Sequence, residues 1–283
     1  MANRKKRNEI FSSDTAKDVI PKKDVMKEDF DWEVPVEIVP IPSEGKVYPQ
    51  DSSLHGRKTL EIKAMTAKEE DILASRALIQ QGKVVPHLIH SCLIDKSIDV
   101  DSMILGDRNA LMVSIRITGY GSDYQASVVC PECGQKSENS FELSQLAINR
   151  LKIDPVAPGT NEFSFTLPIT KKVVNFKFMT GHDDLEISTT ASRRKKMMPG
   201  MQIDNVITSR LSKQIVSVNG TSDQNKINMF VNNMPAQDSR KLRAYIGENE
   251  PGIDMKSWMK CPHCGTESEV ALPLGAGFFW PTG

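Results

Sequence analysis

Four of the five cysteines in this sequence occur in two copies of one short motif, Cys-Pro-x-Cys-Gly. The first copy contains Cys130 and Cys133, and the second contains Cys261 and Cys264. Two cysteines separated by two residues can place both sulfurs on one metal ion, and the following glycine permits the positive φ that such a turn needs. Four thiolates form the closed tetrahedral site that is typical of structural zinc. The motifs therefore predict a zinc site.

The two motifs begin at positions 130 and 261, and their separation leaves open whether they bind one ion together. Closing the chain between them costs roughly 4–5 kcal/mol in a flexible-chain estimate. Structural zinc binds with about 10–16 kcal/mol, which exceeds that cost. If the halves of the chain are duplicated about a pseudo-two-fold axis, equivalent hairpin tips meet on the axis. We therefore favour one shared zinc site.

Two other uses of these thiols stay open, namely vacant reduced thiols and redox or iron–sulfur chemistry. A redox Cys-x-x-Cys normally caps a helix after a strand, whereas both motifs here precede polar segments that resemble strands. His263 lies inside the second motif and is either a substitute ligand or, as we favour, a solvent-facing spacer. Cys92 stands apart and is predicted to be a small buried apolar residue.

Other catalytic patterns are missing from the sequence. It contains no phosphate-binding loop, dinucleotide-binding glycine pattern, zinc-protease motif or nucleophile elbow, and its five histidines are scattered. The acidic pairs Glu69-Glu70 and Asp183-Asp184 stand at predicted helix starts, where the helix dipole favours them. The sequence predicts that the protein is not an enzyme.

Composition narrows the class of protein further. The 283 residues include 36 basic and 36 acidic side chains, so no global attraction to nucleic acid or acidic membranes is expected. The hydrophobic fraction of 39% is sufficient for a globular fold. No apolar run approaches the roughly 18 residues that span a bilayer. Reduced thiols and the lack of an apolar N-terminal stretch favour a soluble protein made in a reducing cytoplasm.

The elements that must position the cysteines also occur twice. Strand-like alternation leads into Met65-Thr66 in the first half and into Met179-Thr180 in the second, and each pair precedes an acidic first helical turn. Thr66 with Glu69 predicts a capping box. From these markers to the following cysteine motif the copies run 65 and 82 residues, and we place the extra residues of the second copy near "NEPGIDMKSW".

Further helices are predicted between these markers. The segments are "KVVPHLIHSCLI", "DRNALMVSIRITGY" behind an Asp107 N-cap, "DNVITSRLSKQI" behind Asp204, and "PAQDSRKLRAYIGENE". The last of these occupies the position in the second half that "DRNALMVSIRITGY" has in the first. The predicted fold class is α+β. It has two related lobes from an internal duplication, each with helices and a short antiparallel hairpin carrying a CPxCG turn, joined at the shared zinc site.

The chain divides into six predicted segments. They are a flexible charged arm (1–31), a Pro-rich extended segment lying on a surface (32–58), the first repeat lobe (59–150), a connector (151–172), the second repeat lobe (173–274) and an aromatic C-terminal tail (275–283).

Two segments could bind partners. Phe278, Phe279 and Trp280 stand next to the C-terminus, where they expose a large apolar surface unless they dock. Docking on the chain's own core and docking on a neighbouring subunit both stay open, and we predict a partner-binding role. The basic, Met-rich run "SRRKKMMPGM" at 192–201 is predicted to be a solvated loop rather than a partner-binding one.

Several stretches together carry a family resemblance. "IPSEGKVYP", "MTAKEEDIL", "LGDRNALMVSIRITGYGSDY", "CPECG" and the terminal "FFWP" resemble the baseplate hub and hub-assembly proteins of T-even-type contractile-tailed bacteriophages. The resemblance runs from about residue 35 onward. It implies a structural or assembly protein of the tail baseplate, built into the virion in the host cytoplasm and bound to other hub proteins or to further copies of itself.

The alternative hypothesis is a zinc-ribbon protein that binds nucleic acid or assists transcription. Four-cysteine ribbons often serve that purpose, and "RKKR" at 4–7 with "SRRKK" at 192–196 would supply phosphate contacts. The zero net charge and the long gap between the motifs disfavour it.

Overall fold

The computed structural model describes residues 33–197, 205–274 and 278–279. Helices and short antiparallel strands alternate along the described chain, which confirms the predicted α+β class. The elements of the first half are β1 (Val36–Pro40), β2 (Thr59–Lys63), α1 (Ala67–Ala74), α2 (Arg76–Gln81), α3 (Val84–Cys92), α4 (Leu105–Tyr120), β3 (Asp123–Val129), β4 (Lys136–Glu142) and β5 (Ile148–Asn149). Those of the second half are β6 (Phe163–Thr166), β7 (Val173–Phe176), α5 (Gly181–Met197), α6 (Val206–Gln214), β8 (Ile215–Val218), α7 (Gln224–Asn232), α8 (Ala236–Asn249), β9 (Gly252–Ile253), β10 (Lys256–Lys260) and β11 (Glu267–Ala271).

The sheets are small, and the pairings between the described strands are antiparallel. β1 pairs with β2, β3 with β4, and β10 with β11, whereas β6, β7 and β8 form a three-stranded sheet in that order. The short strands β5 and β9 pair with each other, with Ile148 opposite Ile253. This pairing joins the segment after the first cysteine motif to the segment before the second.

Each cysteine motif lies in the connection between two paired strands. Val129 of β3 stands opposite Lys136 of β4, and Lys260 of β10 stands opposite Glu267 of β11. The connections are residues 130–135 and 261–266. Alternate residues of β3 are buried, which is the pattern of a strand with one face on the core. The hairpins therefore hold both motifs at strand ends.

Helix α1 begins where the sequence predicts, immediately after Thr66. The Glu69 carboxylate accepts a hydrogen bond from the Thr66 N–H at 2.9 Å, as the predicted capping box requires. Helix α5 follows Thr180 in the same way, because the Thr180 N–H donates to the Asp183 carboxylate at 3.0 Å. Helix capping thus explains the first residue of each acidic pair, Glu69 and Asp183.

The predicted N-cap at Asp107 is wrong. Helix α4 begins at Leu105, and Asp107 lies inside its first turn. The buried Asp107 carboxylate accepts hydrogen bonds from the Ser43 N–H at 2.9 Å, the Ser43 hydroxyl at 2.5 Å and the Tyr48 hydroxyl at 2.6 Å. It binds a distant loop rather than its own helix end. The predicted cap Asp204 of the next helix lies outside the described residues.

The same contacts correct the prediction for the Pro-rich segment. Part of it forms β1, and the residues that follow turn into the core instead of lying extended on a surface. Ile41, Ser43 and Val47 are buried, and Tyr48 is 5% exposed. Hydrogen bonds to Asp107 compensate the polar groups that enter the core with this segment.

The basic run is also not the predicted loop over its first part. Residues 192–197 continue helix α5, which extends over Gly181–Met197. The remainder of the run lies outside the described residues.

Buried apolar residues of the described chain form one core that both halves share. Leu111 and Ile115 of α4 belong to it, as do Leu242 and Ile246 of α8. A close approach of backbones strengthens the junction, since a Cβ on Gly106 would meet the carbonyl oxygen of Pro251 at 1.6 Å. Only glycine fits there, and the two halves are therefore packed as one body around the hairpins.

Candidate metal centre

The fold brings all four predicted ligands together. The sulfur atoms of Cys130, Cys133, Cys261 and Cys264 all lie within 4.8 Å of one another. Two short contacts connect the motifs, at 3.8 Å between Cys130 and Cys264 and at 3.7 Å between Cys133 and Cys261. The motifs therefore contribute to one cluster rather than to two.

These distances suit a tetrahedral metal site. With Zn–S bonds of about 2.3 Å, the sulfurs of a regular tetrahedron stand about 3.8 Å apart. The observed contacts of 3.7 and 3.8 Å match that edge and far exceed the roughly 2.05 Å of a disulfide bond. All five cysteines are free thiols in the structure. The donor set and its spacing thus fit zinc, which would supply a closed coordination sphere and no open position for a substrate.

The two turns have the same backbone hydrogen bonds. The Gly134 N–H donates to the Cys130 carbonyl at 2.9 Å, and the Gly265 N–H donates to the Cys261 carbonyl at the same distance. Gly134 and Gly265 have φ of 71° and 74°, a region in which other residues are strained. The glycine of each motif is therefore required by the turn that presents the sulfurs.

The cluster lies at the edge of the molecule. Cys130 and Cys261 are buried, whereas Cys133 and Cys264 are exposed. Thr266 donates hydrogen bonds through its hydroxyl and its backbone N–H, and these lower the pKa of the Cys264 thiol to about 6. The Gln135 N–H acts in the same direction on Cys133, but desolvation and the neighbouring sulfurs together outweigh it and raise the pKa of Cys133 to about 12. One thiolate forms easily and further ones repel it, and a cation among the four sulfurs removes that repulsion.

The other cysteine predictions can be compared with the structure directly. Cys92 is fully buried, and burial raises the pKa of its thiol to about 12, which makes it an inert core residue. His263 is exposed between the second pair of ligands. Both motifs lead into strands β4 and β11 rather than into helices, unlike a redox Cys-x-x-Cys.

The C-terminal aromatic residues dock on the chain itself. Phe278 and Phe279 are 1% and 5% exposed, and the Phe278 ring packs edge-to-face on Tyr124 with 5.2 Å between the centroids. This is the intramolecular alternative for these two residues. Trp280 lies outside the described residues.

Sequence reasoning did not identify two buried polar residues that connect segments distant in the chain. Arg116 of α4 is 2% exposed, and its guanidinium donates hydrogen bonds to backbone carbonyls of Gly121, Asp123 and Phe278. Asp238 of α8 is also buried. A signal for Asp238 was present, because it precedes Cys261 by the 23 positions that separate Asp107 from Cys130.

The class of protein is now defined: an α+β protein whose two cysteine hairpins converge on one four-thiol site. A family model described as "T4 bacteriophage base plate protein" matches residues 41–280. The chain therefore belongs to this family, which confirms the resemblance found in the sequence. Membership indicates a structural component of the bacteriophage tail baseplate that interacts with other baseplate or tail proteins.

No curated protein and no solved structure matches the chain. Across the part of the chain that the structure describes, no helix combines the length and the apolar character that crossing a bilayer requires.

Proposed function

We propose that this protein is a non-enzymatic structural or assembly component of the central hub of the baseplate in a contractile-tailed bacteriophage. The family match over residues 41–280 carries the proposal. The protein joins the tail in the cytoplasm of the host, where neighbouring hub subunits bind it.

In this proposal the four-cysteine site is structural. Its ligands come from two hairpins that are distant in sequence, and four thiolates leave a bound zinc ion no free coordination position. A zinc site here staples the two hairpins and stabilises the surfaces that contact the neighbours. Metal binding of this kind contributes directly to the free energy of folding.

We also infer an internal duplication, and the buried aspartates support it. Asp107 is the third residue of α4, and Asp238 is the third residue of α8. Asp107 accepts a hydrogen bond from the Ser43 N–H, and Asp238 accepts one from the Ile169 N–H at 2.8 Å. Ser43 lies between β1 and β2, and Ile169 lies between β6 and β7. The same loop-to-helix contact thus occurs at the same place in each half.

A second correspondence precedes the capped helices. Lys63 contacts the Glu69 carboxylate at 2.9 Å, and Lys177 contacts the Asp183 carboxylate at 2.8 Å. Each lysine stands six positions before its acidic partner and directly follows or ends a strand of its half. Two matching ion pairs at matching places favour duplication over chance similarity.

The extra residues of the second half do not lie near "NEPGIDMKSW", contrary to our expectation. Leu105, the first residue of α4, precedes Cys130 by 25 positions, and Ala236, the first residue of α8, precedes Cys261 by the same number. The additional length lies earlier, because α5 has 17 residues where α1 has 8, and α7 has 9 where the first half has a three-residue 3₁₀ turn. The insertion accounts for the helix found in the basic run.

Partner binding through the ends of the chain is part of the proposal. Phe278 and Phe279 are buried against the chain itself, so they anchor the C-terminal segment rather than bind a neighbouring subunit. We therefore assign the partner contact at the C-terminus to Trp280 and assign a second contact to the arm 1–31.

The nucleic-acid alternative has little support from the hairpin surface. Exposed lysines at 256 and 260 alternate with exposed glutamates at 267 and 269 on the second hairpin, and Lys256 approaches Glu269 at 3.7 Å. A surface that binds phosphates carries an excess of positive charge, and this one is balanced.

The proposal can be tested on purified phage tails. Quantitative mass spectrometry should find the protein in finished tails, and antibody labelling should place it on the central axis of the baseplate. Peripheral labelling would contradict a hub position, and presence in assembly intermediates alone would restrict the role to assembly.

Native mass spectrometry of the isolated chain should show one zinc ion per chain. Retention on DNA that declines steeply with salt would favour the alternative.

A further inference from the structure

The two cysteine hairpins are neighbours without sharing a sheet. Among the described residues, β3 pairs with β4 alone and β11 pairs with β10 alone, although β3 and β11 lie side by side. A groove of about 380 Å³ lies between them, lined in part by Ser127, Val129, Pro131, Glu269, Ala271 and Pro273. No backbone ladder therefore holds one hairpin to the other along the groove.

At one end of the groove the hairpins meet at the cysteine cluster. β3 ends at Val129, directly before Cys130, and β11 begins at Glu267, shortly after Cys264. The contact of 3.8 Å between the sulfurs of Cys130 and Cys264 lies at this end.

At the opposite end a second set of contacts joins the hairpins. The Tyr124 hydroxyl, near the start of β3, donates to the carbonyl oxygen of Pro273, shortly after β11, at 2.7 Å. The Phe278 ring packs on the Tyr124 ring. The Arg116 guanidinium donates to the carbonyl oxygens of Asp123 and Phe278, at 3.0 and 2.9 Å. Two regions that are distant in sequence, residues 116–124 and the region of Pro273 and Phe278, are thus held at one point.

The buried guanidinium is the centre of this set. Its third described hydrogen bond goes to the Gly121 carbonyl at 2.7 Å, so its hydrogen-bond partners among the described residues are backbone carbonyls. Burial disfavours the charged form, and the pKa of Arg116 is lowered accordingly. The three carbonyl acceptors, the nearby charge of Asp123 and the Tyr120 ring, whose centroid lies 5.4 Å from the guanidinium carbon, compensate the buried cation. Its hydrogen bonds align helix α4, strand β3 and the backbone of Phe278.

We propose that Arg116, Tyr124 and Phe278 form a second clasp between the hairpins, in addition to the four-cysteine site at the other end of the groove. This second clasp positions the four cysteines for their metal, an inference that rests on the zinc site of the proposed function. β3 has seven residues and is roughly 20 Å long, with one buried face, so it transmits a displacement from one end of the groove to the other. Releasing the second clasp lets the hairpins pivot and separates the sulfurs. Because the coupling between the metal site and the second clasp is reciprocal, bound metal also favours docking of Phe278 on Tyr124.

The test compares two substitutions that each remove one buried hydroxyl group. Tyr124→Phe removes the donor to Pro273, and the control Tyr48→Phe removes a donor to Asp107 far along the chain from the hairpins. The rate at which zinc-loaded, full-length protein transfers zinc to a chromophoric chelator is measured for both. Tyr124→Phe should release zinc roughly 2- to 10-fold faster than wild type, the effect expected for the loss of one hydrogen bond, and Tyr48→Phe at the wild-type rate.

Arg116→Met should accelerate release further. Wild-type rates in both folded clasp variants would overturn the inference, and the conservative Tyr124→Phe keeps the test valid if Arg116→Met does not fold. Hydrogen exchange gives a readout that does not need the metal. Amides of β11 should exchange faster in Tyr124→Phe than in Tyr48→Phe, and equal exchange would also overturn the clasp. A wild-type chain that retains no zinc contradicts the proposed function alone, because the exchange comparison still tests the clasp.

Discussion

The sulfur of Cys130 lies 3.8 Å from the sulfur of Cys264, although the two cysteines are 134 positions apart in the chain. The reciprocal contact, between Cys133 and Cys261, is 3.7 Å. Both contacts cross from one motif to the other, which is the arrangement that a single shared site requires.

Cys130→Ser and Cys261→Ser should each abolish zinc retention and lower the thermal midpoint of unfolding. Either substitution leaves only three thiols in the shared cluster, so the four-thiolate site for the metal is incomplete. Native mass spectrometry and a thermal melt measure the two effects. Cys92→Ala is the matched control. Cys92 is buried and is not part of the four-cysteine cluster, so this variant protein should retain zinc. Loss of zinc in only one of the two serine variants would contradict the shared site.

Asp107→Asn should change how stability depends on pH. Burial raises the pKa of Asp107 from 3.8 to about 6, so the folded protein holds this proton more tightly than the unfolded chain. The resulting stabilisation is present below pH 3.8 and is lost as the pH rises through about 6. Urea unfolding should show that wild type loses on the order of 2–3 kcal/mol relative to Asp107→Asn between pH 4 and pH 7.

Asp238→Asn is the control for that experiment, and it should show the opposite trend. Burial raises the pKa of Asp238, but hydrogen bonds from the backbone of Ile169 and Thr170 outweigh it, and the pKa is lowered. Wild type should therefore gain stability over Asp238→Asn as the pH rises through the acid range. The same trend in both variants would show that the two aspartates do not differ as the structure indicates.

Glu69→Gln should remove part of the acid sensitivity of the fold. Burial works against ionisation, but hydrogen bonds from Ser91, Thr66 and Lys63 outweigh it and lower the pKa of Glu69 from 4.5 to about 2. This stabilisation is present above pH 4.5 and is lost as the pH falls through about 2. Denaturant unfolding should show wild type losing on the order of 2–3 kcal/mol relative to the variant over that window. Parallel curves for the two proteins would refute this assignment.

Truncations of the tail should separate anchoring from partner binding. Removing residues 275–283 deletes the buried Phe278 and Phe279 and should destabilise the protein by about 3–5 kcal/mol or more, as expected for the loss of a buried aromatic side chain. Removing residues 280–283 should leave the melting temperature nearly unchanged and abolish joining to hub partners. Normal tail assembly with the shorter truncation would remove Trp280 from the proposed interface.

Local signals in the sequence predicted local structure well. The capping box at Thr66 and Glu69 determines where α1 begins, because the pairing involves residues three positions apart. The prediction for Asp107 is wrong because it depends on local rules alone. Those rules make a carboxylate near a helix start an N-cap, whereas the partners of Asp107, Ser43 and Tyr48, are more than 50 positions away. Long-range hydrogen bonds leave no periodic signal in one sequence.

The four thiols, the turns that present them and the α+β class follow from the types and the short-range spacing of the residues, which are sufficient for these features. The folded chain is needed to show that the two motifs form one cluster, that Phe278 docks on Tyr124 and that the Phe278 carbonyl accepts a hydrogen bond from the buried Arg116. Those contacts join segments more than 120 positions apart. They form because both halves pack around one shared core, and packing of that kind depends on the whole chain rather than on any stretch of it.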